Sequence, residues 1–255
     1  MPVLILLPPS EGKTAPDDAA APHLDLEELT LPDLTGAREQ VLQSLVEASG
    51  REDAQQVFKV GAKVLEEVAA NRQVAQAPAA PAWQIYTGVL YEGLGAASLS
   101  AEQLEQAAEH VLIFSGLFGV TGFTDRIPAY RCAMDVNLPG VGNLGSFWKK
   151  QLAAPLSALA ADRLLVDCRS GSYQRPFPGD PARRLQVNSF TELNGVRKVV
   201  THFAKAARGE LAGMLLRATS APETVEEIAH IAADRWTVEV RPAEGRTPHQ
   251  LDLIR

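Results

Sequence analysis

The sequence predicts an α/β fold in which helices flank a mixed β-sheet core. Three short apolar runs, at residues 3–7, 111–114 and 164–168, have the length and composition of buried strands. Segments with helical spacing of apolar residues lie between these runs, and such alternation of strands and helices is typical of α/β proteins. Hydrophobic residues make up 46% of the chain, enough for a substantial core. We therefore expect one domain over residues 1–255.

The charge of the chain restricts its partners. A formal net charge of −7 argues against a generally basic nucleic-acid binder. Residues 126–217 nevertheless hold 14 lysines and arginines against 6 aspartates and glutamates. This basic belt is consistent with an anion-binding face. The same uneven distribution of charge also arises without any function if acidic helices happen to lie in the first half of the chain.

The sequence also bears on location and cofactors. Its longest apolar runs are too short to span a bilayer, and the first residues lack the pattern of a signal peptide. The two cysteines fit a reducing compartment and form no metal-site spacing. We therefore expect a cytoplasmic protein with no membrane association, no metal and no cofactor.

The first predicted strand, at residues 3–7, leads into a Gly-Lys-Thr turn that is similar to a phosphate-binding P-loop. The glycine that opens a P-loop would fall at Leu7, however, and Ala15-Pro16 stands where the P-loop helix should begin. We therefore do not expect a true P-loop. The turn still places Ser10 and Lys13 at the end of a strand, where the binding sites of α/β proteins form.

Periodicity and capping signals predict the helices. A surface loop over residues 15–32 precedes them. The predicted helices cover residues 36–49, 52–74, 101–110, 147–160 and 196–217, and a last one ends near residue 233. Capping boxes at 100–103 and 220–223 mark the starts of the third and last of these. In the 196–217 helix we expect Val199, Val200 and Phe203 to point inward.

Other segments are predicted as strands. An aromatic and β-branched run at residues 83–88 is treated as a strand that ends at a glycine. Alternation at 184–190 indicates an edge strand. Final strands are expected at 236–240 and 251–254.

The stretch at residues 111–131 is the most informative part of the sequence. Its apolar strand breaks into small residues from Ser115-Gly116 onward and ends on Tyr130 and Arg131. Glycines directly beyond a core strand let the backbone turn sharply or approach a ligand closely. A glycine-rich surface connection with solvent-exposed arginines would produce the same pattern.

Several predicted strand ends carry cations and hydroxyl groups but few carboxylates. This combination suits an anionic ligand such as a phosphate or a carboxylate. The alternative is a set of unrelated surface cations. The candidate catalytic residues are Lys13, Tyr86, Arg131, Tyr173, Lys205 and Arg208, and the candidate ligand-binding residues are Ser10, Thr87, Ser115, Gly116 and Ser172.

A Leu-Pro-Gly-Val-Gly stretch at residues 138–142 is a second candidate functional motif. It is typical of a plain tight turn. It is also typical of the hairpin in helix-hairpin-helix modules, whose backbone amides bind DNA phosphates. On the second interpretation Gly140, Val141 and Gly142 contact DNA, and Lys149 and Lys150 on the next helix add phosphate contacts.

The chain resembles the YaaA family of bacterial peroxide-stress proteins through short motifs in the same order over nearly its whole length. The resemblance implies a cytosolic protein that limits peroxide damage, with a distinctive α/β fold and binding of double-stranded DNA through a helix-hairpin-helix element. The chain departs from the family pattern in its acidic composition and in Glu11-Gly12 within the first motif. The motifs are Pro9-Ser10 with Lys13-Thr14, Tyr86-Thr87-Gly88, residues 115–119, Tyr130-Arg131 with Met134, Phe147-Trp148, residues 167–173 and residues 202–209.

Three functional hypotheses follow. The first is a YaaA-like stress protein that binds double-stranded DNA weakly and without sequence preference, through residues 138–150 and the basic belt. The second is an enzyme or binder of a small anionic ligand, in which Lys13, Arg131, Lys205 and Arg208 hold the anion and a tyrosine donates a proton. The third is a scaffold with neither activity. Convergence of the cations in a closed pocket favours the second hypothesis, whereas a groove wide enough for a duplex favours the first.

Overall fold

The computed structural model describes residues 3–18 and 20–255 and contains one large sheet with flanking helices, which confirms the predicted fold class. The sheet has eight strands in the order β11-β12-β9-β8-β1-β3-β4, with β10 paired to β9, and two small two-stranded sheets accompany it. The strands are β1 (Leu4–Leu7), β2 (Ala79–Pro81), β3 (Val111–Ser115), β4 (Gly119–Gly122), β5 (Arg126–Pro128), β6 (Asn137–Leu138), β7 (Gly142–Asn143), β8 (Leu165–Asp167), β9 (Arg184–Leu193), β10 (Val196–Lys198), β11 (Thr237–Arg241) and β12 (His249–Ile254).

Five strands of the large sheet, β3, β1, β8, β9 and β12, run parallel, and β4 and β11 pair antiparallel at its two ends. Strand β1 lies in the middle and is buried along its whole length, as expected for an apolar run covered on both faces. The chain passes from β1 to β3 on one side and later returns to β8 on the other. Such a reversal of strand order leaves a crevice at the carboxyl ends of the strands, where ligands of α/β proteins bind.

The helices pack around this sheet, and one contact among them positions the candidate site. Helix α8 lies against α5 so closely that a β-carbon on Gly209 would overlap the Leu90 carbonyl, and one on Gly213 would lie 2.5 Å from the Leu94 carbonyl oxygen. The two glycines therefore allow α8 to approach the segment that begins at Gly88. The helices are α1 (Thr35–Ser49), α2 (Ala54–Phe58), α3 (Leu65–Ala70), α4 (Ala82–Ile85), α5 (Val89–Leu94), α6 (Ala101–His110), α7 (Leu144–Leu159), α8 (Thr201–Arg217) and α9 (Val225–Ala233).

Most predicted elements are confirmed within a few residues, but two helical predictions are wrong in extent. The segment at 52–74 is interrupted because Lys59 adopts a left-handed conformation with φ 54° and ends α2 there. Helix α3 resumes only at Leu65. The last helix begins later than predicted because Thr224, and not Ser220, accepts the capping hydrogen bond from the Glu227 amide.

The start of the 196–217 helix is also wrong. A turn at Asn194 and Gly195, both with positive φ, folds residues 196–198 back as β10. Helix α8 therefore begins at Thr201. Val199 is 65% exposed and Phe203 is 47% exposed, so these side chains do not point inward, and Val200 is exposed as well.

Two strand predictions need correction. Residues 82–85 form the short helix α4, so Tyr86 and Thr87 follow a helix and not a strand. Strand β9 is not at an edge, since β8 and β12 both pair with it. Its alternating sequence arises because its faces differ: Leu185 and Val187 are buried, whereas Gln186 is half-buried on the opposite face.

Candidate functional site

A cavity of about 410 Å³ lies at the carboxyl ends of β1 and β8, where the strand order reverses. The loop after β1, at residues 8–12, forms one wall, and the turn after β8 forms another. Residues 87–91 and the first half of α8 complete the lining. This is the crevice that the topology of an open parallel sheet provides for a ligand.

The loop at residues 8–12 is fixed by hydrogen bonds to the start of α5. The Tyr91 hydroxyl donates to the Pro8 carbonyl at 2.8 Å, and the Thr87 amide donates to Ser10 Oγ at 3.0 Å. Ser10 Oγ in turn donates to the Gly12 carbonyl. Hydrogen bonds from the segment at residues 87–91, together with one inside the loop, therefore hold this cavity wall in place.

Lys13 anchors the same loop from a buried position. Its Nζ donates to the Ser10 carbonyl at 2.8 Å and lies 4.4 Å from the centroid of the Tyr130 ring and 5.5 Å from that of Tyr86. Burial, together with the positive charge of Arg131, lowers the pKa of the Lys13 ammonium from 10.5 to about 7. Lys13 can therefore gain or lose a proton near neutral pH.

A chain of buried hydroxyl groups lies next to Lys13. The hydroxyls of Tyr86 and Tyr130 are 2.9 Å apart, and that of Tyr130 is 2.6 Å from Ser115 Oγ. The Phe118 amide donates to Ser115 Oγ at 3.0 Å. Burial raises the pKa of both tyrosines above the usual value, so both phenols are protonated at neutral pH, and either hydroxyl of each pair can be the donor.

Arg131 contacts the loop from outside the cavity. Its guanidinium lies 3.1 Å from Glu11 Oε2 and 3.4 Å from Glu67 Oε2. Neither Lys13 nor Arg131 lines the cavity, although both contact loop residues that do. The four predicted anion-binding cations are therefore neighbours of one loop and cavity, but they do not all face the same space.

Lys205 and Arg208 do line the cavity, one turn apart on α8. Arg208 Nε donates to the Val187 carbonyl at 3.0 Å, which holds its guanidinium against β9. Among the residues that the structure describes, no carboxylate pairs with either cation. Both therefore retain hydrogen-bonding capacity for a ligand.

The remaining predicted residues divide between the cavity and the core. Ser10, Thr87, Ser172 and Tyr173 line the cavity. Burial raises the pKa of the Tyr173 phenol above its usual value, so it also keeps its proton. Ser115 and Gly116 are buried in the core. Gly116 has a packing role, because a β-carbon there would lie 2.6 Å from the Cys132 carbonyl oxygen.

The proposed DNA-binding hairpin has a different structure from the one predicted. Strands β6 and β7 form a two-stranded ribbon around Pro139, Gly140 and Val141, and α7 follows it with the exposed side chains of Lys149 and Lys150. Residues 129–136, all of which the structure describes, form no helix. The helix-hairpin-helix element is therefore not confirmed, because the chain before the hairpin is irregular and turns at residues 134–135.

Some cations of the basic belt pair with carboxylates that lie outside residues 126–217 and so were not in the count of six. Arg131 pairs with Glu11 and Glu67, and Arg197 pairs with Glu239. The excess of cations counted in the sequence is therefore larger than the charge available to a ligand.

Comparison with known proteins identifies the family. A family model described as "Peroxide stress protein YaaA" matches residues 3–241. The chain belongs to the YaaA family. A UPF0246 protein of Streptomyces coelicolor is 43% identical over 258 residues, covering 99% of this chain and 98% of its own. A UPF0246 protein of Corynebacterium efficiens is 40% identical, with coverage of 96% and 97%.

Several of the segments that carry the YaaA resemblance meet at the cavity. The strand-end motifs after β1 and β8 supply two walls, and the Tyr-Thr-Gly and α8 motifs supply the others. The sequence did not show that Asp167 and Arg169 form a fully buried ion pair, with Nε to Oδ1 at 2.8 Å. Arg169 also donates to the Tyr173 carbonyl, so this pair fixes the turn after β8. The sequence signal that could have predicted this ion pair is the Asp-x-Arg spacing at the end of β8.

Glu11 and Tyr91, which line the cavity, were likewise missing from the predicted set. Among the described residues, no group of three or more histidine, cysteine, aspartate or glutamate side chains could hold a metal ion. In the same part of the chain, no helix has the length and apolar character needed to span a membrane.

Proposed function

We propose that this YaaA family protein acts in the peroxide stress response of the cytoplasm by binding a small anionic ligand in the cavity. One observation carries the proposal: Lys205 and Arg208, unpaired with carboxylates among the described residues, line the same space as Ser10, Thr87 and Ser172. Two cations beside three hydroxyl groups match the oxygens of a phosphate or a carboxylate.

The residues behind the loop have supporting roles in this proposal. Lys13 and Arg131 hold the loop at residues 8–12 through the backbone and side chain of Glu11 and its neighbours. Tyr86 supports Lys13 with its ring. Tyr91 and Tyr173 both line the cavity as protonated phenols. The Tyr91 hydroxyl donates to the Pro8 carbonyl, so Tyr173 is the candidate proton donor to a bound ligand.

Thermal melting in the presence of inorganic phosphate tests the proposal. A ligand that binds only the folded protein raises the melting temperature by mass action. We expect this shift in the wild type and its loss in Lys205→Met. Lys150→Met is the matched control, because it removes another exposed lysine, one that lies outside the cavity. Equal phosphate shifts in all three proteins would rule out a role for Lys205.

We propose double-stranded DNA as a second candidate ligand, bound weakly and without sequence preference. The observation in its favour is that the tip of the β6–β7 hairpin and the side chains of Lys149 and Lys150 are exposed close together along the chain. Backbone amides and lysines contact phosphates and not base edges, so such binding depends strongly on salt. Titration of a labelled duplex at two salt concentrations tests this candidate.

A further inference from the structure

The cavity has two chemically different sides. Lys205 and Arg208 form a cationic side on α8. The segments at residues 8–12 and 87–91 contribute the apolar residues Pro8, Pro9, Val89 and Leu90, here called the apolar side, and they also contribute the polar residues Ser10, Glu11 and Thr87. A bare inorganic anion would use only the first side. An amphipathic ligand, with a charged end and an uncharged planar or apolar body, would use both.

Polar groups also line the cavity. Ser10, Thr87, Ser170 and Ser172 contribute hydroxyl groups to the lining. The backbone is open to the cavity at Gly171, where φ is +57° and an added β-carbon would meet no atom within 4 Å. Hydroxyl and backbone groups in this arrangement suit the hydroxyls of a sugar.

The size of the cavity supports a ligand larger than phosphate. Its volume of about 410 Å³ lies in the range of roughly 300–1,000 Å³ in which proteins bind small organic molecules. Its position at the reversal of strand order is the one in which open α/β sheets bind nucleotides.

We propose that the ligand is a nucleoside monophosphate. Its phosphate lies at Lys205 and Arg208, its ribose hydroxyls at the serines, and its base against the apolar side at Pro8, Pro9 and Leu90. This inference rests on the proposed function, because it specifies the class of anion that the same cavity binds.

Isothermal titration calorimetry with the full chain and four probes tests the inference: adenosine monophosphate, ribose 5-phosphate, inorganic phosphate and adenosine. We expect adenosine monophosphate to bind at least about tenfold more tightly than each of the other three, because it alone contacts both sides of the cavity.

Two variants separate the sides. Lys205→Met should weaken adenosine monophosphate and phosphate by a similar factor of about tenfold, since both use the cationic side. Val89→Ser should weaken adenosine monophosphate severalfold and leave phosphate unchanged, because Val89 lines the cavity. Lys150→Met and Val196→Ser change exposed residues that do not line the cavity and are the matched controls. Melting temperatures without ligand confirm that each variant is folded.

The outcomes distinguish the two proposals. Equal affinity for phosphate, ribose 5-phosphate and adenosine monophosphate would overturn the nucleotide assignment and leave the anion proposal standing. Absence of binding by all three anions would overturn both. Adenosine that binds as tightly as adenosine monophosphate would also overturn both, because the phosphate would then contribute nothing.

Discussion

Two groups of cationic side chains in this protein differ in what their charges contact. Arg38 and Arg169 are fully buried; Arg38 donates to backbone carbonyls, including that of Val120 at 2.9 Å, and Arg169 pairs with Asp167. Lys205 and Arg208 line a cavity and pair with no carboxylate among the described residues.

The difference shows that cation content alone does not measure affinity for anions. The buried arginines use their hydrogen-bonding capacity inside the fold, so their charge holds chain segments together. The cations of the cavity keep that capacity for a ligand. Lys13 shares features of both groups. Its ammonium donates to the Ser10 carbonyl, as the buried arginines donate inside the fold, but its pKa of about 7 lets it change charge near neutral pH. Substitutions in each group should therefore affect different measurements.

The largest effect should come from breaking the buried pair. Arg169→Met leaves the Asp167 carboxylate without its main partner in the core, so we expect the free energy of unfolding to fall by about 3–5 kcal/mol. Urea denaturation measures this. The double variant Asp167→Asn, Arg169→Met should recover part of the loss, because no unpaired carboxylate then remains buried. An Arg169→Met protein as stable as Lys205→Met would contradict the distinction between the groups.

Lys13 should make stability depend on pH. Its folded pKa of about 7 lies below the usual 10.5, so between these values the unfolded chain binds more protons than the folded one. The free energy of unfolding should therefore rise with pH across this window, by on the order of a few kcal/mol. Denaturation at about pH 7 and about pH 10 should show a smaller rise in Lys13→Met than in the wild type. The exposed Lys150→Met is the control, and an unchanged rise in Lys13→Met would refute the assignment.

The exposed lysines of α7 should affect only DNA binding, and moderately. The double variant Lys149→Ala, Lys150→Ala should reduce the slope of log affinity against log salt by about 2, because each lysine neutralises one phosphate. Fluorescence titration of a duplex at several salt concentrations measures the slope. Lys205→Met should leave it unchanged. If Lys205→Met reduced the slope and the α7 double variant did not, DNA would bind at the cavity and not at α7.

The cysteines should show the smallest effect. Both are free and buried, and burial raises the pKa of the Cys132 and Cys168 thiols to about 12. Since the thiolate is the reactive form, mild peroxide should produce no Cys132–Cys168 disulfide in the folded protein. Mass spectrometry of peptides from treated protein is the measurement, with denatured protein as the reactive control. A quantitative crosslink would show that the thiols act as a sensor.

Local signals in the sequence are sufficient to predict several of the strands and helices. The apolar runs at β1, β3 and β8 gave buried strands because their side chains must leave water, and the Ser100–Gln103 box gave the start of α6 because it satisfies free amides at the helix end. The sequence also shows which residue types follow the strands or lie on the helices, such as Ser10 after β1 and Lys205 on α8.

Long-range packing sets which of these residues meet and what each of them contacts. Lys13 and Lys205 are far apart in sequence, and they approach the same loop and cavity because parallel pairing of β1 with β8 and the glycine contact of α8 with α5 bring their segments together. The same long-range packing placed Lys13 against two tyrosine rings, and it left Lys205 without a carboxylate partner among the residues that the structure describes. Burial and partners set the pKa and the free hydrogen-bonding capacity of a side chain, and neither is a property of the residues next to it in the chain.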